Sequence, residues 1–240
     1  TRYAPNIPGM VDAPLRSALT DALGIPVAVD NDANVAAWGE VVHGAARGVT
    51  DGLVITLGTG IGGGIIAGGR VYRGAHGFAA EVGHWQFERD GARCACGEPG
   101  HWEACASGHA LGRLGREAAV NGHAPGLLAR AGGDATRITG LDVTAAAQAG
   151  EADALAVLDG WAVDVALGFA GLVNILDPEL IVVSGGLVDL GDLLLEPLRR
   201  AFAGRVEGAA HRPPVPIVPA ELGDLAGVVG AAALARELPR

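Results

Sequence analysis

The sequence contains no lysine, since all 17 of its basic residues are arginine. No lysine of this chain can therefore hold a phosphate or stabilise a transition-state charge. Acidic residues outnumber basic ones by 27 to 17, and the resulting net charge of −10 disfavours a nucleic-acid or anionic-membrane surface. Charged residues make up 18% of the chain and hydrophobic residues 50%, a composition that favours a packed core over disorder.

Long apolar runs and a signal sequence are also lacking. The longest apolar stretch, Val165–Leu176, is interrupted by glycine and asparagine and is shorter than the roughly 20 residues of a membrane span. The opening residues, TRYAPNIPGM, have no basic segment followed by an apolar run, so no signal peptide is expected. Because the chain does not begin with methionine, we expect a fragment or a processed product.

The order of sequence patterns predicts an α/β architecture. A length of 240 residues corresponds to about 1.6 average domains, so one large domain or two small lobes are expected. Runs of β-branched residues alternate with helical periodicity. The predicted strands are Pro26–Val29, Leu53–Leu57, Ile65–Ala67, Val71-Tyr72, Leu180–Val183 and Val215–Val218. The predicted helices are Val11–Leu23, a helix following Asn34 to about His43, a helix capped by Ser107 to about Asn121, Glu151–Leu176, Leu190–Phe202 and Leu225–Leu238, with a structured loop over residues 74–101.

A glycine-rich segment, LGTGIGGG at Leu57–Gly64, lies between two predicted strands. It is neither a P-loop nor a dinucleotide fingerprint, because the first needs Gly-Lys-Ser/Thr and the second opens a helix. Dense glycine lets a phosphate approach backbone N–H groups, and Thr59 adds a hydroxyl. The alternative is a tight hairpin that needs positive φ. A second pair, Gly185-Gly186, ends a strand at a place where α/β sheets bind ligands.

One carboxylate is placed to act as a base. Asp32 follows a predicted strand at the start of a helix and is flanked by Asn31 and Asn34. Such a carboxylate can accept a proton from a bound hydroxyl while the amides hold neighbouring hydroxyls. The alternative is an N-cap cluster, which Asp and Asn favour in any protein.

Cysteine and histidine cluster in one segment. His84, Cys94, Cys96 and His101 lie within eighteen positions and match a closed, tetrahedral, structural zinc site. Cys105 could compete with His101 for the fourth place, since the two are one helical turn apart. An odd number of clustered cysteines disfavours a disulfide framework and indicates a reducing, cytoplasmic compartment. The alternative is a loop with free cysteines.

Taken together, these motifs resemble those of the ROK family of repressors, open reading frames and sugar kinases. They occur in the family's order over almost the whole chain, and the PNIPGM opening and the GAARG segment are most similar to bacterial ATP-dependent glucokinases. The resemblance implies an α/β, actin-like, hexokinase-type ATPase fold related to ribonuclease H. The matching segments are VDNDANVAAWGE, LGTGIGGGI, GFAAEVGHWQF, CACGEPGHWEACASG, IVVSGGLV and ELGDLAGVVGAAALA.

The resemblance also implies the division of the chain. Residues 1–31 would be the remnant of a small N-terminal lobe, and residues 32–220 a large lobe with the sugar, zinc and nucleotide sites. Residues 221–240 would form a C-terminal helix that packs back toward the small lobe.

The implied activity is ATP-dependent phosphorylation of a hexose, with glucose at its 6-hydroxyl the expected substrate and Mg²⁺ accompanying ATP. Asp32 corresponds to the family's catalytic base, and Asn31 is expected to bind sugar hydroxyls. Glu81, His84 and Glu103 match the family's sugar-contacting trio, so His84 would serve both zinc and sugar. The expected nucleotide-binding residues are Gly58, Thr59, Gly60, Gly62, Gly63, Gly185 and Gly186.

Two departures from the family pattern bear on these expectations. Zinc-binding members usually carry cysteine where this chain has His101. The family's first phosphate loop, an Asp-x-Gly-Gly-Thr pattern, does not occur in the chain, which leaves open whether the chain is active by itself. The alternatives are a sugar-responsive repressor with a DNA-binding domain before Thr1 and an inactive sugar-binding module. A homodimer is expected, with no nucleic-acid partner for this segment and no membrane partner.

Overall fold

A five-stranded mixed sheet forms the centre of the structure, a computed structural model that describes residues 11–238. The strands are β1 (Gly52–Leu57), β2 (Ile61–Ala67), β3 (Arg70–Val71), β4 (Leu180–Ser184) and β5 (Ile217–Pro219). Their order is β3-β2-β1-β4-β5, in which β1, β2 and β3 are antiparallel while β1, β4 and β5 are parallel. Strands β1 and β4 therefore end at the same edge, the edge at which open α/β sheets bind ligands.

Helices cover both faces of this sheet, which confirms the predicted α/β class. Over residues 11–238 they are α1 (Leu15–Leu23), α2 (Asp32–His43), α3 (Trp102–Ala106), α4 (Gly108–Val120), α5 (Pro125–Arg130), α6 (Gly140–Gln148), α7 (Ala152–Leu176), α8 (Asp192–Phe202) and α9 (Ala226–Arg236). Alternate residues of β1 serve opposite layers: Leu53 and Ile55 pack in the larger core beneath α7, and Val54 packs with Ala37 of α2. A strand buried on both faces reads as a continuous apolar run, which is why its position was predictable.

Helix α7 is the central helix of the larger core. Within residues 11–238 it is the one helix long and apolar enough to cross a membrane by length and composition. More than half of its most apolar window is buried inside the protein, and Trp161 and Phe169 are fully buried. The core of the domain therefore accounts for its apolar composition.

Two predicted strands differ from the structure. Pro26–Val29 belongs to no strand of residues 11–238, and Pro26 lacks the N–H that a strand ladder uses. Asp32 consequently follows an irregular segment that ends in the extended residue Asn31. Strand β2 begins at Ile61 and so includes most of the glycine run that was predicted to be a loop. The tight turn is therefore Gly58–Gly60.

The helix predictions were correct in position but incomplete. Helix α1 begins at Leu15 rather than Val11, after Asp12 with a positive φ of 47° and Pro14 at the N-cap. Helices α3, α5 and α6 were missed, because short helices rich in glycine and alanine show no clear period. The PNIPGM segment lies outside the described residues, and the proposed boundaries at 31/32 and 220/221 stay predictions.

Helices α2 and α9 cross at very close range. A Cβ at Gly39 would lie 2.5 Å from the Ala226 carbonyl oxygen, and a Cβ at Gly230 would collide with the Val35 carbonyl. At the end of α2 the Glu40 carboxylate is fully buried and accepts three backbone hydrogen bonds. The donors are the N–H groups of Ala45 (2.7 Å), Glu221 (3.2 Å) and Leu222 (3.0 Å). Glu40 thus fixes the segment before α9 to the helix that begins with Asp32.

Helix α6 begins with a capping box, and we predict a pH-dependent contribution from it. The Thr139 hydroxyl accepts from the Asp142 N–H, and the Asp142 carboxylate accepts from the Thr139 hydroxyl and N–H. These bonds, the hydroxyl's first, lower the pKa of Asp142 below its ordinary value of 3.8. Ionised Asp142 therefore stabilises the fold fully at pH values above 3.8, and this contribution is lost as the pH falls through the lowered pKa of the folded state.

Asp142→Ala is expected to reduce the free energy of unfolding by about 0.5–2 kcal/mol at pH 7. The difference from wild type should shrink in denaturant titrations as the pH falls below 3.8. Asp159→Ala, which removes an exposed ion pair with Arg200, is the control and should change stability by less than about 1 kcal/mol. A difference for Asp142→Ala that stays constant down to about pH 2 would contradict the assignment.

Candidate functional site

The Asp32 carboxylate stands at the exposed start of α2. Asn31 is the N-cap, and its side-chain oxygen accepts from the Asn34 N–H at 3.1 Å. Asp32 is the first helical residue, its side chain is exposed, and its Oδ1 lies 2.9 Å from the Ala33 nitrogen. Asn31 therefore caps the helix, while Asp32 faces solvent at the end of the helix where the dipole stabilises negative charge.

An ion pair fixes the backbone that precedes Asp32. The Arg73 Nε–H donates to Asp30 Oδ2 at 2.7 Å, and Arg73 Nη2 lies 2.6 Å from the same oxygen in an ion pair. Asp30 Oδ1 accepts from the Asn31 N–H at 2.9 Å. Arg73 also donates to the Val71 carbonyl at 3.1 Å. Sequence reasoning missed this pair, since residues 43 positions apart share no local pattern.

The glycine run Gly60–Gly63 is where the parts of the site meet. A Cβ at Gly62 would lie 3.4 Å from the Ala33 Cβ, next to Asp32. A Cβ at Gly63 would lie 2.7 Å from Val82 Cγ2, in the 3₁₀ turn between Glu81 and His84. A Cβ at Gly60 would collide with the Glu103 carboxylate. The absence of side chains here lets α2, the 3₁₀ turn and α3 approach one another around the start of β2.

The two predicted phosphate turns lie side by side. Gly58–Gly60 follows β1, Gly185 follows β4, and a Cβ at Gly185 would lie 2.5 Å from the Leu57 carbonyl oxygen. Gly185 has a φ of 87°, which favours glycine. A Cβ added at Gly58 or Gly186 would meet no atom beyond the neighbouring residues within 4 Å, so both turns have an open side.

The expected sugar-contacting residues surround the same region. Glu81 is exposed and precedes the 3₁₀ turn, directly after Ala80, whose φ of 69° is unusual for a residue other than glycine. Glu103, in α3, accepts from the Ile61 N–H at 2.9 Å. Asn34 is buried, and its side-chain oxygen has no hydrogen-bond partner among residues 11–238. Polar groups thus border the site on several sides.

The four predicted metal ligands come together. One ligand atom from each of His84, Cys94, Cys96 and His101 lies within 4.8 Å of every other. Cys94 Sγ is 3.7 Å from His84 Nδ1, and Cys96 Sγ is 3.2 Å from His101 Nδ1. Burial raises the pKa of the Cys94 thiol to about 11, so a metal bound there must displace a proton. Two sulfurs and two imidazole nitrogens match the tetrahedral donor set of zinc.

Cys105 is not part of this group. It is buried, and its Sγ is 3.7 Å from Glu88 Oε2. Burial, followed by the negative charge of Glu88, raises the pKa of the Cys105 thiol to about 11. The geometry therefore favours His101 over Cys105 as the fourth ligand.

The sheet order and the glycine turns at its carboxyl edge are those of an actin-like, hexokinase-type ATPase fold. A model of the ROK family matches residues 2–238, and the chain belongs to that family. The predicted fold and family are confirmed.

Individual relatives agree with the family match. Glucokinase of Streptomyces coelicolor is 42% identical over 98% of this chain and 74% of its own length. Glucokinase of Halalkalibacterium halodurans is 41% identical over 98% of this chain and 71% of its own length. Among solved structures, the ROK family glucokinase of Streptomyces griseus in complex with glucose and AMPPNP is 42% identical, with a TM-score of 0.87 over 98% of this chain and 76% of that one.

Proposed function

We propose that this chain belongs to an enzyme that phosphorylates glucose with ATP. The supporting observation is the convergence at Gly60–Gly63 of the Asp32-bearing helix, the Glu81–His84 turn and Glu103, beside two glycine turns. The similarity to curated glucokinases and to a glucokinase with bound glucose and AMPPNP supports the same reaction. The predicted kinase is therefore favoured over the repressor and over an inactive sugar-binding module.

Asp32 is assigned as the general base of this reaction. The sugar 6-hydroxyl oxygen attacks the γ-phosphorus of ATP, its proton passes to Asp32, and ADP departs with the electrons of the broken bond. Phosphoryl transfer depends mainly on positioning and electrostatics, to which the base adds about 10²–10⁴-fold. The exposed carboxylate at the start of α2 suits this role, and Asn31, Glu81, His84 and Glu103 are assigned to the sugar hydroxyls.

ATP is assigned to the two glycine turns. The residues are those expected from the sequence: Gly58, Thr59, Gly60, Gly62, Gly63, Gly185 and Gly186. Among them, Gly62 and Gly63 lie within β2 and pack against Ala33 and Val82, so their contribution is to shape the site. Mg²⁺ would accompany ATP and neutralise phosphate charge, since the chain has no lysine for that purpose.

Zinc is assigned to His84, Cys94, Cys96 and His101 as a structural ion. Because Nδ1 of His84 faces the Cys94 sulfur, Nε2 is the ring nitrogen left for a sugar hydroxyl. The bound ion would orient that ring from behind the sugar site. Zinc ligation by both histidines leaves the site electrically neutral once two thiolates are formed.

We predict about one equivalent of zinc in gently purified protein, because four convergent ligands form a closed site. Cys96→Ala should lose most of the metal in elemental analysis, because three ligands remain. Cys105→Ala is the matched control and should retain it, since Cys105 contacts Glu88 instead. Less than about a tenth of an equivalent in the wild-type protein would exclude the assignment.

The experiment that tests the function is ADP release by the natural protein with ATP, Mg²⁺ and a panel of hexoses. Release that depends on glucose supports the proposal, and preference for another hexose would replace glucose as the substrate. Sugar binding without ADP release would favour the repressor or the inactive module. We extend the proposal to a homodimer, as expected for the family, that acts in glycolysis in the cytoplasm. The net charge of −10 disfavours a nucleic-acid partner for this segment.

A further inference from the structure

We infer that Glu103 couples the metal cluster to the glycine turn Gly58–Gly60, so that zinc occupancy sets the geometry of this turn. In this role Glu103 is a positioning residue, in addition to its assignment to the sugar. The inference takes its zinc and its nucleotide turn from the proposed function. It is carried by the contacts of a single segment, α3 and the start of α4.

Helix α3 is anchored at its beginning. Its N-cap is His101, a member of the metal cluster. The next residue, Trp102, is fully buried, and its Nε1–H donates to the Asp164 carbonyl of α7 at 3.1 Å. A Cβ at Gly168 would collide with the Trp102 ring, which shows how tightly α3 lies on α7. A metal held by His101 would therefore add a second anchor at the beginning of a helix that the core already holds.

The Glu103 carboxylate lies between the cluster and the turn. Its Oε2 accepts from the Ile61 N–H at 2.9 Å, directly after Gly60. Its Oε1 lies 3.5 Å from Sγ of Cys94, another member of the cluster. The missing side chain of Gly60 provides the space that the carboxylate occupies. One side chain thus contacts the metal site with one oxygen and the backbone of the turn with the other.

The same segment holds the other end of the turn. The Gly108 N–H, at the start of α4, donates to the Gly58 carbonyl at 2.8 Å, and the His109 N–H lies 3.4 Å from the Thr59 carbonyl. Both ends of the turn are therefore bonded to residues 103–109, which follow His101 directly. A displacement of His101 when the metal is removed would move these bonds together, because α3 is short and Ser107 alone separates it from α4.

The test is hydrogen exchange of the Ile61 amide, measured on zinc-loaded and zinc-stripped protein. This amide donates to Glu103, and the free energy of a hydrogen bond to a charged group would slow amide exchange by about 10- to 100-fold. We expect zinc to slow exchange by about that factor in the wild type. In Glu103→Ala exchange should be fast and independent of zinc. Glu117→Ala, which removes an exposed carboxylate from α4, is the matched control and should behave as the wild type.

Three results would overturn the inference: Ile61 exchange that zinc changes by less than about twofold, a zinc response that persists in Glu103→Ala, or no zinc binding. If circular dichroism shows that Glu103→Ala is unfolded, Gly60→Ala displaces the carboxylate from the other side and should abolish the same response. A zinc response in a protein that releases no ADP with glucose would support the inference and refute the proposed function.

Discussion

Asp32→Asn is expected to lower kcat for ADP release by about 10²–10⁴-fold with glucose binding largely retained. Asparagine keeps the size of the side chain but cannot accept the proton of the sugar hydroxyl. The helix should not change, because the N-cap of α2 is Asn31 and its bond to Asn34 does not involve Asp32. Steady-state kinetics and glucose titration calorimetry on the natural protein measure the two effects separately.

The control for this variant is Asp21→Asn, which neutralises an exposed carboxylate on α1. It should leave kcat within about twofold, because it lies outside the group of elements that meet at Gly60–Gly63. If turnover of Asp32→Asn stays within threefold of wild type, Asp32 is not the base. If glucose binding is lost along with turnover, Asp32 acts in binding, and the assigned role is wrong.

Glu40→Ala is expected to reduce the free energy of unfolding by about 3–5 kcal/mol. The fully buried carboxylate accepts from the N–H groups of Ala45, Glu221 and Leu222, and its removal leaves these donors without their acceptor. The loss is large because the bonds are made to a charged group away from water. Denaturant unfolding at pH 7 measures it.

The matched control is Glu237→Ala. This glutamate forms an exposed ion pair with Arg70 at 3.0 Å and should contribute less than about 1 kcal/mol. Equal destabilisation by the two variants would mean that the three buried hydrogen bonds of Glu40 contribute no more to stability than an exposed ion pair does. Helix α2 begins with Asp32 and carries Glu40 near its other end. Glu40→Ala, which weakens the contact between α2 and α9, should therefore also raise KM for glucose under conditions in which the protein is still folded.

Local signals predicted several elements correctly. The Gly68-Gly69 turn, both residues with positive φ, joins β2 to β3 between the strands predicted at Ile65–Ala67 and Val71-Tyr72, because glycine adopts these angles at low cost. Ser107 caps α4 through the Ala110 N–H at 3.3 Å. Helix α7 ends at Leu176 as its apolar periodicity predicted, and it begins at Ala152, one residue after the predicted start. In each case the deciding interaction lies within a few positions along the chain.

Errors occurred where pairing or packing decides the conformation. Pro26–Val29 has the composition of a strand, yet a strand exists only where a neighbour supplies hydrogen bonds. The glycines at Gly62–Gly64 predicted a loop, but they lie in β2 because α2 and the 3₁₀ turn need the space that side chains would fill. No pattern within the segment itself distinguishes these outcomes.

The sequence by itself determined the α/β class, the family and the four candidate metal ligands, because their chemistry and spacing lie within short motifs. The tertiary structure alone decided which distant groups meet. Glu103 reaches Ile61 across 42 positions, Arg73 reaches Asp30 across 43, and Glu40 reaches Leu222 across 182. Such contacts depend on how complete layers pack against the sheet, and this packing is a property of the whole chain rather than of any local segment.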